Sequence, residues 1–315
     1  MDSKVIAIIK TVRPRQWLKN LTIYAGLVFS GRLFEFDDFL LVSGAFLLFS
    51  FVASAIYIFN DLVDAPADRL HPFKKNRPIA SGLLATPIAF GLAIFLLFCG
   101  LLGAFLLSPR FFMAVVAYLL LQLLYMFLLK HVIILDVIAI ASGFLLRIYA
   151  GLWLIGTHLN IWFLLCAVSF ALFVATGKRR AEATLLQGYS AQQKIGAVRA
   201  TLSHYPDSLL HGYTTMFATA TWLTYALFTF EQPPFTPNTT YREFLDFVLP
   251  RVYSVKWLML TIPFVIYGVM RYLYLIYERK EGESPERILL ADRPLLTAVI
   301  GWGLMVILIV YVISG

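Results

Sequence analysis

The sequence predicts an all-α integral membrane protein, a bundle of about nine transmembrane helices forming one domain over residues 1–315 with a cytoplasmic N-terminus. Three observations support this fold class. Hydrophobic residues make up 60% of the chain and charged residues 14%, whereas soluble domains carry about 25% charged residues. Apolar runs long enough to cross a bilayer recur along the whole chain. These runs are continuous rather than alternating, which excludes a transmembrane barrel.

Nine apolar runs define the predicted spans. The first is short, and we expect its helix to begin earlier, around residues 15–19. Cys99 and Cys166 both lie inside such runs without CxxC spacing, so neither a disulfide framework nor a zinc site is indicated. The predicted spans are residues 18–31, 38–59, 83–107, 111–129, 132–155, 159–176, 208–229, 255–277 and 294–314.

The distribution of Lys and Arg predicts the orientation of the bundle, because cytoplasmic loops are enriched in both. With the N-terminus inside, 20 of the 26 Lys and Arg residues fall in inner segments, 5 fall in outer segments, and Arg147 lies within a span. The excess alternates from loop to loop, which supports both the number of spans and the orientation.

The strongest chemical signal lies at the inner end of the second predicted span, between Asn60 and Asp68. On a helix, Asp61, Asp64 and Asp68 lie on one face, since side chains three, four and seven positions apart are neighbours. Adjacent carboxylates repel each other unless a cation neutralises them, and oxygen ligands suit Mg²⁺ held together with substrate phosphates. Pro66 cannot continue a regular helix, so we expect a kink that opens the aspartates toward the loop.

Basic residues follow the acidic run directly, with Arg69, Lys74, Lys75 and Arg77 in the next nine positions. Lys and Arg bind phosphate oxygens through charge-assisted hydrogen bonds. The order of acids and then bases therefore suits a diphosphate bridged by Mg²⁺. The alternative is a solvated loop whose positive charges only determine the topology.

The pattern NDxxDxxxD at the inner end of the second of nine helices resembles the UbiA superfamily of intramembrane prenyltransferases, and the resemblance covers nearly the whole chain. It implies a UbiA-like fold with a cavity open to the cytoplasm. It also implies that Asn60, Asp61, Asp64 and Asp68 are the catalytic residues, and that the three aspartates bind Mg²⁺ and a diphosphate.

The later half of the chain departs from the usual pattern of that superfamily, which has a second aspartate motif. Here the sixth inner junction instead reads GKRRAE over residues 177–182, and cations replace the expected metal ligands. This departure resembles the branch of decaprenyl-phosphate phosphoribosyltransferases. The segments that resemble this branch are residues 13–20, 64–82, 130–136, 143–147, 177–182 and 284–293.

The branch resemblance implies a Mg²⁺-dependent transfer of 5-phosphoribose from phosphoribosyl diphosphate (PRPP) to a polyprenyl (decaprenyl) phosphate, with release of diphosphate. Several anions would then meet in one site, which accounts for its many cations. The predicted substrate-binding residues are Arg15, Lys19, Lys74, Arg77, Tyr125, Lys130, Asp136, Arg147, Lys178, Arg179, Arg180 and Glu182.

Some of these residues have equally simple structural explanations. Asp136 and Arg147 lie inside one predicted span on a shared face, and each could belong to a structural ion pair with another helix rather than line a substrate cavity. Arg15 and Lys19 flank Trp17 and could belong to an interfacial belt rather than bind the lipid phosphate. Tyr125 could likewise be an interfacial anchor.

Two other functions are compatible with the sequence. The first is a prenyltransferase that moves a prenyl group from a prenyl diphosphate to an aromatic or lipid acceptor. The second is a transporter or channel, which would be expected to distribute charges toward the middle of the membrane. We expect the protein in a bacterial inner or plasma membrane with its site facing the cytoplasm. A nucleic-acid partner is not indicated, and a homo-oligomer is left open.

Overall fold

A computed structural model describes residues 3–70, 74–190, 205–232, 256–278 and 285–313. These residues are almost entirely helical and contain no strand. Within them, seven helices are long and apolar enough to cross a membrane. The prediction of an all-α polytopic membrane protein is therefore confirmed.

The helices follow the predicted spans closely, with two additional short helices at residues 3–12 and 285–291. The α-helices are α1 (Ser3–Val12), α2 (Ala25–Phe29), α3 (Phe36–Leu70), α4 (Thr86–Leu107), α5 (Pro109–Phe127), α6 (Leu135–Ile155), α7 (Ile161–Ser190), α8 (Asp207–Glu231), α9 (Ile262–Tyr277), α10 (Pro285–Ala291) and α11 (Arg293–Ile307). Pro14–Tyr24 forms a 3-10 segment, a 3-10 turn at Trp257–Thr261 leads into α9, and a π-helical turn at Leu308–Ile313 extends α11.

Two of the nine predicted spans are not among the seven long apolar helices. The span predicted at 18–31 is divided between the 3-10 segment and the five residues of α2. Helix α8 has 25 residues and is long enough, but it is rich in threonine. Its Thr214, Thr221 and Thr224 hydroxyls donate to carbonyls one turn back, which satisfies them within the helix. The count of nine spans and the orientation stay predictions.

The chain divides into two compact units. The first contains the described residues up to Leu27 and Glu35–Thr157. In it α3 packs on α4 through small side chains, with Ala89 and Ala93 fully buried. A Cβ at Gly100 would lie 2.5 Å from Val52 Cγ2, so only glycine allows this approach.

The second unit contains Val28–Phe34 and the described residues from His158 onward. Helix α7 packs on α8, and α9 packs on α8 and α11. Asp292 stands at the N-cap of α11, where its carboxylate accepts from Leu295 N (2.9 Å) and from two nitrogens of Arg271 (3.1 and 2.9 Å). Whether both units form one functional domain stays a prediction.

Candidate active site

Helix α3 carries the acidic motif on its last turns, because it remains helical through Pro66 to Leu70, eleven residues beyond the predicted end of the span. Asp61 and Asp68 are buried, with 3% and 4% of their surface exposed, while Asp64 is half-buried. Asn60 donates to Asp64 Oδ2 at 3.0 Å. The aspartates therefore lie on a helix, as the spacing predicted.

Among the residues that the structure describes, three positively charged side chains contact these three carboxylates. Arg13 Nη2 donates to both oxygens of Asp61, at 2.5 and 2.7 Å. Arg77 Nη1 donates to Asp61 Oδ1 at 2.9 Å and to Asp68 Oδ2 at 2.6 Å, so it bridges the two buried acids. Lys130 Nζ lies 3.7 Å from Asp64 Oδ1. The three positive charges match the three negative ones.

A polar face of α3 holds the segment that presents Arg13. Ser54 Oγ accepts from Trp17 Nε1 and donates to Val12 O, both at 2.9 Å. Ser50 Oγ accepts from Asn20 Nδ2, also at 2.9 Å. Since Ser50 and Ser54 lie one helical turn apart and Asp61 follows two turns later, a single face anchors the N-terminal segment and receives the Arg13 guanidinium.

Arg77 reaches the acids because the loop after α3 folds back onto the helix. A 3-10 turn at Lys74–Asn76 is followed by backbone bonds from Ser81 N to Arg77 O (2.8 Å) and from Leu84 N to Pro78 O (2.9 Å). Ile79 is buried in the cluster that contains Ala65 of α3. This apolar anchor fixes the position of Arg77. Lys74 is half-buried in the same loop, and His71 and Pro72 lie outside the described residues.

Arg147 is buried in the first unit, 4% exposed, and binds neutral groups. Its Nε donates to Asn20 Oδ1 (2.7 Å), its Nη1 to Gly143 O (2.6 Å) and its Nη2 to the Tyr118 hydroxyl oxygen (2.8 Å). It thereby ties α5, α6 and the 3-10 segment together. These contacts support a structural role, while its predicted substrate contact stays a prediction.

The other predicted residues of the first unit are placed less centrally. Asp136 is buried near the start of α6, where its Oδ1 accepts from Val137 N at 2.9 Å. Lys19 Nζ donates to Gln16 Oε1 at 2.5 Å, and Arg15 is exposed. Tyr125 is half-buried in the last turn of α5. The structure thus brings together the acids, Arg77 and Lys130.

The predicted basic cluster of the second unit lies on α7, which stays helical from Ile161 to Ser190. Arg179 is 1% exposed, and its Nη1 donates to Glu182 Oε2 at 2.5 Å. Lys178 Nζ lies 4.0 Å from the other oxygen of Glu182. The Arg180 guanidinium lies 3.4 Å from the centre of the Tyr277 ring and pairs with Asp207 at 3.5 Å.

Sequence reasoning did not assign Arg13 to the acidic site. Nothing local joins residues 13 and 61, and the contact depends on how the N-terminal segment lies on α3. One signal was available, since Ser50 and Ser54 continue the face of Asp61 as a polar stripe into the mostly apolar part of the helix. Such a stripe predicts a polar partner packed against that face.

The donor set of the site is compatible with Mg²⁺ under one condition. Asp61 and Asp68 are hard oxygen donors close enough to share one guanidinium nitrogen. In the part of the chain that the structure describes, no group of three or more His, Cys, Asp or Glu side chains is arranged to hold a metal ion. Mg²⁺ is usually held by one or two carboxylates plus substrate phosphates. The residues therefore fit Mg²⁺ when a diphosphate supplies further oxygens.

These features define a polytopic helical membrane protein with a charge-paired acidic site at the end of a long helix. The model of the UbiA prenyltransferase family matches residues 20–291, and the chain belongs to that family. The resemblance seen in the sequence is thus confirmed.

Its relatives include proteins named decaprenyl-phosphate phosphoribosyltransferase. The one from Mycolicibacterium smegmatis is 37% identical, covering 95% of this chain and 90% of the relative. The one from Mycobacterium tuberculosis is 35% identical, covering 95% and 92%. A structure of a UbiA homolog from Archaeoglobus fulgidus bound to GPP and Mg²⁺ superposes with a TM-score of 0.64 at 21% identity, covering 96% of this chain and 99% of that chain. The last match shows the shared fold.

Proposed function

We propose that the protein transfers 5-phosphoribose from PRPP to a polyprenyl (decaprenyl) phosphate and releases diphosphate. The observation that carries this proposal is the match to the named phosphoribosyltransferases, which at 35–37% identity extends over 95% of the chain. The basic sequence GKRRAE, present where an aspartate motif is common in the superfamily, agrees with a substrate that carries more than one phosphate.

Asp61, Asp64 and Asp68 would hold Mg²⁺ together with the diphosphate of PRPP, and Asn60 would orient Asp64. The ion, when bound, supplies positive charge to the leaving diphosphate. Arg77 and Lys130, which already contact these carboxylates, would donate to the same diphosphate oxygens. We keep Lys178, Arg179 and Arg180 of α7 as proposed ligands of a substrate phosphate.

The proposed reaction needs no strong protein base. The bond from ribose C1 to the diphosphate oxygen breaks, and the diphosphate leaves with the electron pair. An oxygen of the polyprenyl phosphate, already ionised at neutral pH, forms the new bond to C1 from the opposite face. Catalysis would come from positioning and from the cations around the departing charge. The positive-inside distribution of Lys and Arg supports a site that faces the cytoplasm.

The test uses the purified protein with Mg²⁺ and two substrate pairs. One reaction contains PRPP labelled in the ribose and decaprenyl phosphate, and the other contains a labelled prenyl diphosphate and an aromatic acid. We expect label from PRPP in the lipid phase, dependent on Mg²⁺. Label only in a prenylated aromatic product would overturn the proposal and favour the prenyltransferase reaction.

A further inference from the structure

Arg13 has an unusual backbone conformation at the junction of two helical segments. It has a left-handed conformation (φ 57°, ψ 56°) between α1 and the 3-10 segment, and among the described residues only one other non-glycine residue has a positive φ. Such a conformation costs energy and is found often at functional sites. Val12, the residue before it, is held by Ser54 of α3.

The Arg13 guanidinium uses one nitrogen for two bonds. Its Nη2 donates to both oxygens of Asp61, and 24% of the Arg13 side chain remains exposed. The planar guanidinium has further N–H groups on its other nitrogens. Arg13 can therefore give up Asp61 and bind another anion with little movement of its backbone.

Charge balance links this movement to the ligands. Asp61 is buried, and a buried carboxylate without a positive partner is strongly destabilised. If Arg13 leaves, Arg77 alone faces the two buried carboxylates of Asp61 and Asp68, so the departure is favourable only when another cation arrives. Mg²⁺ alone would add two positive charges to a site in which, among the described residues, three cations already contact the three carboxylates. When Mg²⁺ binds together with a diphosphate, both costs are removed. The metal replaces Arg13 as a positive partner of Asp61, and the diphosphate accepts hydrogen bonds from the released guanidinium.

We propose that Arg13 is a further substrate-binding residue, which neutralises Asp61 in the ligand-free protein and transfers to the phosphate oxygens of the substrate when Mg²⁺ binds. Metal and diphosphate then load cooperatively, because each removes the charge imbalance that the other creates. This inference rests on the proposed function in taking Asp61 as a ligand of the metal and a diphosphate as part of the substrate.

The experiment measures two dissociation constants on the full-length purified protein, one for Mg²⁺ alone and one for the preformed complex of Mg²⁺ with inorganic pyrophosphate. In Arg13→Gln, Mg²⁺ alone should bind on the order of tenfold more tightly, since its competitor for Asp61 is gone. The pyrophosphate complex should bind on the order of tenfold more weakly, since a phosphate ligand is gone. Lys10→Gln removes one exposed positive charge three residues away and should change neither constant.

Opposite changes in the two constants support the proposal. Changes in the same direction, or none beyond those in Lys10→Gln, overturn it and leave Arg13 a structural partner of Asp61. If Arg13→Gln does not fold, Arg13→Lys is measured instead. This variant keeps the charge but loses the planar donor set, so its affinity for the pyrophosphate complex should fall about threefold, while its affinity for Mg²⁺ alone should not rise. Unchanged or tighter binding of the pyrophosphate complex overturns the proposal. Because the assay contains neither PRPP nor lipid, a failure of the proposed reaction gives a separate result.

Discussion

Asp61 receives more positive charge than the other two aspartates of the motif. It accepts from both Arg13 and Arg77, whereas Asp68 accepts from Arg77, and Asp64 lies near Lys130. The motif alone does not distinguish the three acids, because their spacing gives them one face and no order. The three acids differ in the positive charge that contacts them because the cations belong to residues 13, 77 and 130, which are distant in sequence.

These unequal contacts with cations predict different effects on turnover when Asp61 or Asp68 is neutralised. Asp61→Asn should reduce turnover at least about 100-fold, because it removes a proposed metal ligand and the shared partner of two guanidiniums. Asp68→Asn should cost less, since Asp68 shares Arg77 with Asp61. Turnover of PRPP with decaprenyl phosphate measures both effects, and the thermal unfolding midpoint in detergent reports whether each variant is folded.

Asp37→Asn provides the matched control for these variants. Asp37 is exposed in the first turn of the same helix, far from the motif, so its loss should leave turnover unchanged. Folded Asp61→Asn protein with full activity would contradict the metal assignment.

For Arg147, the sequence predicts the burial of the side chain but not its hydrogen-bond partners. An arginine within an apolar span predicts a buried polar function, and the structure indeed buries it. Its partners Asn20, Gly143 and Tyr118 come from three segments, and two of these are remote in sequence. The sequence left open a substrate phosphate or a buried acid as the partner of Arg147, whereas the packing of α5 and the 3-10 segment supplies neutral hydrogen-bond acceptors.

The elements were largely predictable, because the apolar runs mark the helices within a few residues. Two elements were not. Hydropathy ended the second span at residue 59, and although the aspartate spacing indicated a helix over residues 61–68, it did not predict that α3 continues through Pro66 to Leu70. The 3-10 segment has too few apolar residues for a span, and it is defined by side-chain bonds to Ser50 and Ser54 rather than by a periodic pattern.

A close approach between α6 and the 3-10 segment gives a prediction at the scale of elements. A Cβ at Gly151 would lie 2.0 Å from the carbonyl oxygen of Ile23, so Gly151→Ala requires the backbone to shift. We expect a loss of about 1–3 kcal/mol in stability, seen as a lower thermal unfolding midpoint. Gly91→Ala is the matched control, since nothing lies within 4 Å of its added Cβ. Equal midpoints in the two variants would show that the 3-10 segment is not held against α6.

On the scale of the whole molecule, the exposed surface agrees with a lipid environment. Large apolar side chains of α4 are exposed, among them Phe98 at 63% and Leu106 at 75%. Among the described residues, the charged side chains of the acidic site instead lie at the end of α3 and in the loop that follows it. The helices and the family are established, while the side of the membrane on which the charged groups lie follows only from the distribution of Lys and Arg.

Cysteine accessibility tests this orientation directly. In a background with Cys99→Ser and Cys166→Ala, Lys75→Cys marks the predicted inner loop, and Arg110→Cys marks a predicted outer connection. Both native side chains are exposed, so labelling is not limited by burial. A membrane-impermeant maleimide should label Arg110→Cys in intact spheroplasts and Lys75→Cys only after permeabilisation. The reverse pattern would place the acidic site outside, where a cytoplasmic phosphosugar such as PRPP could not reach it, and the proposed reaction would then require a different donor.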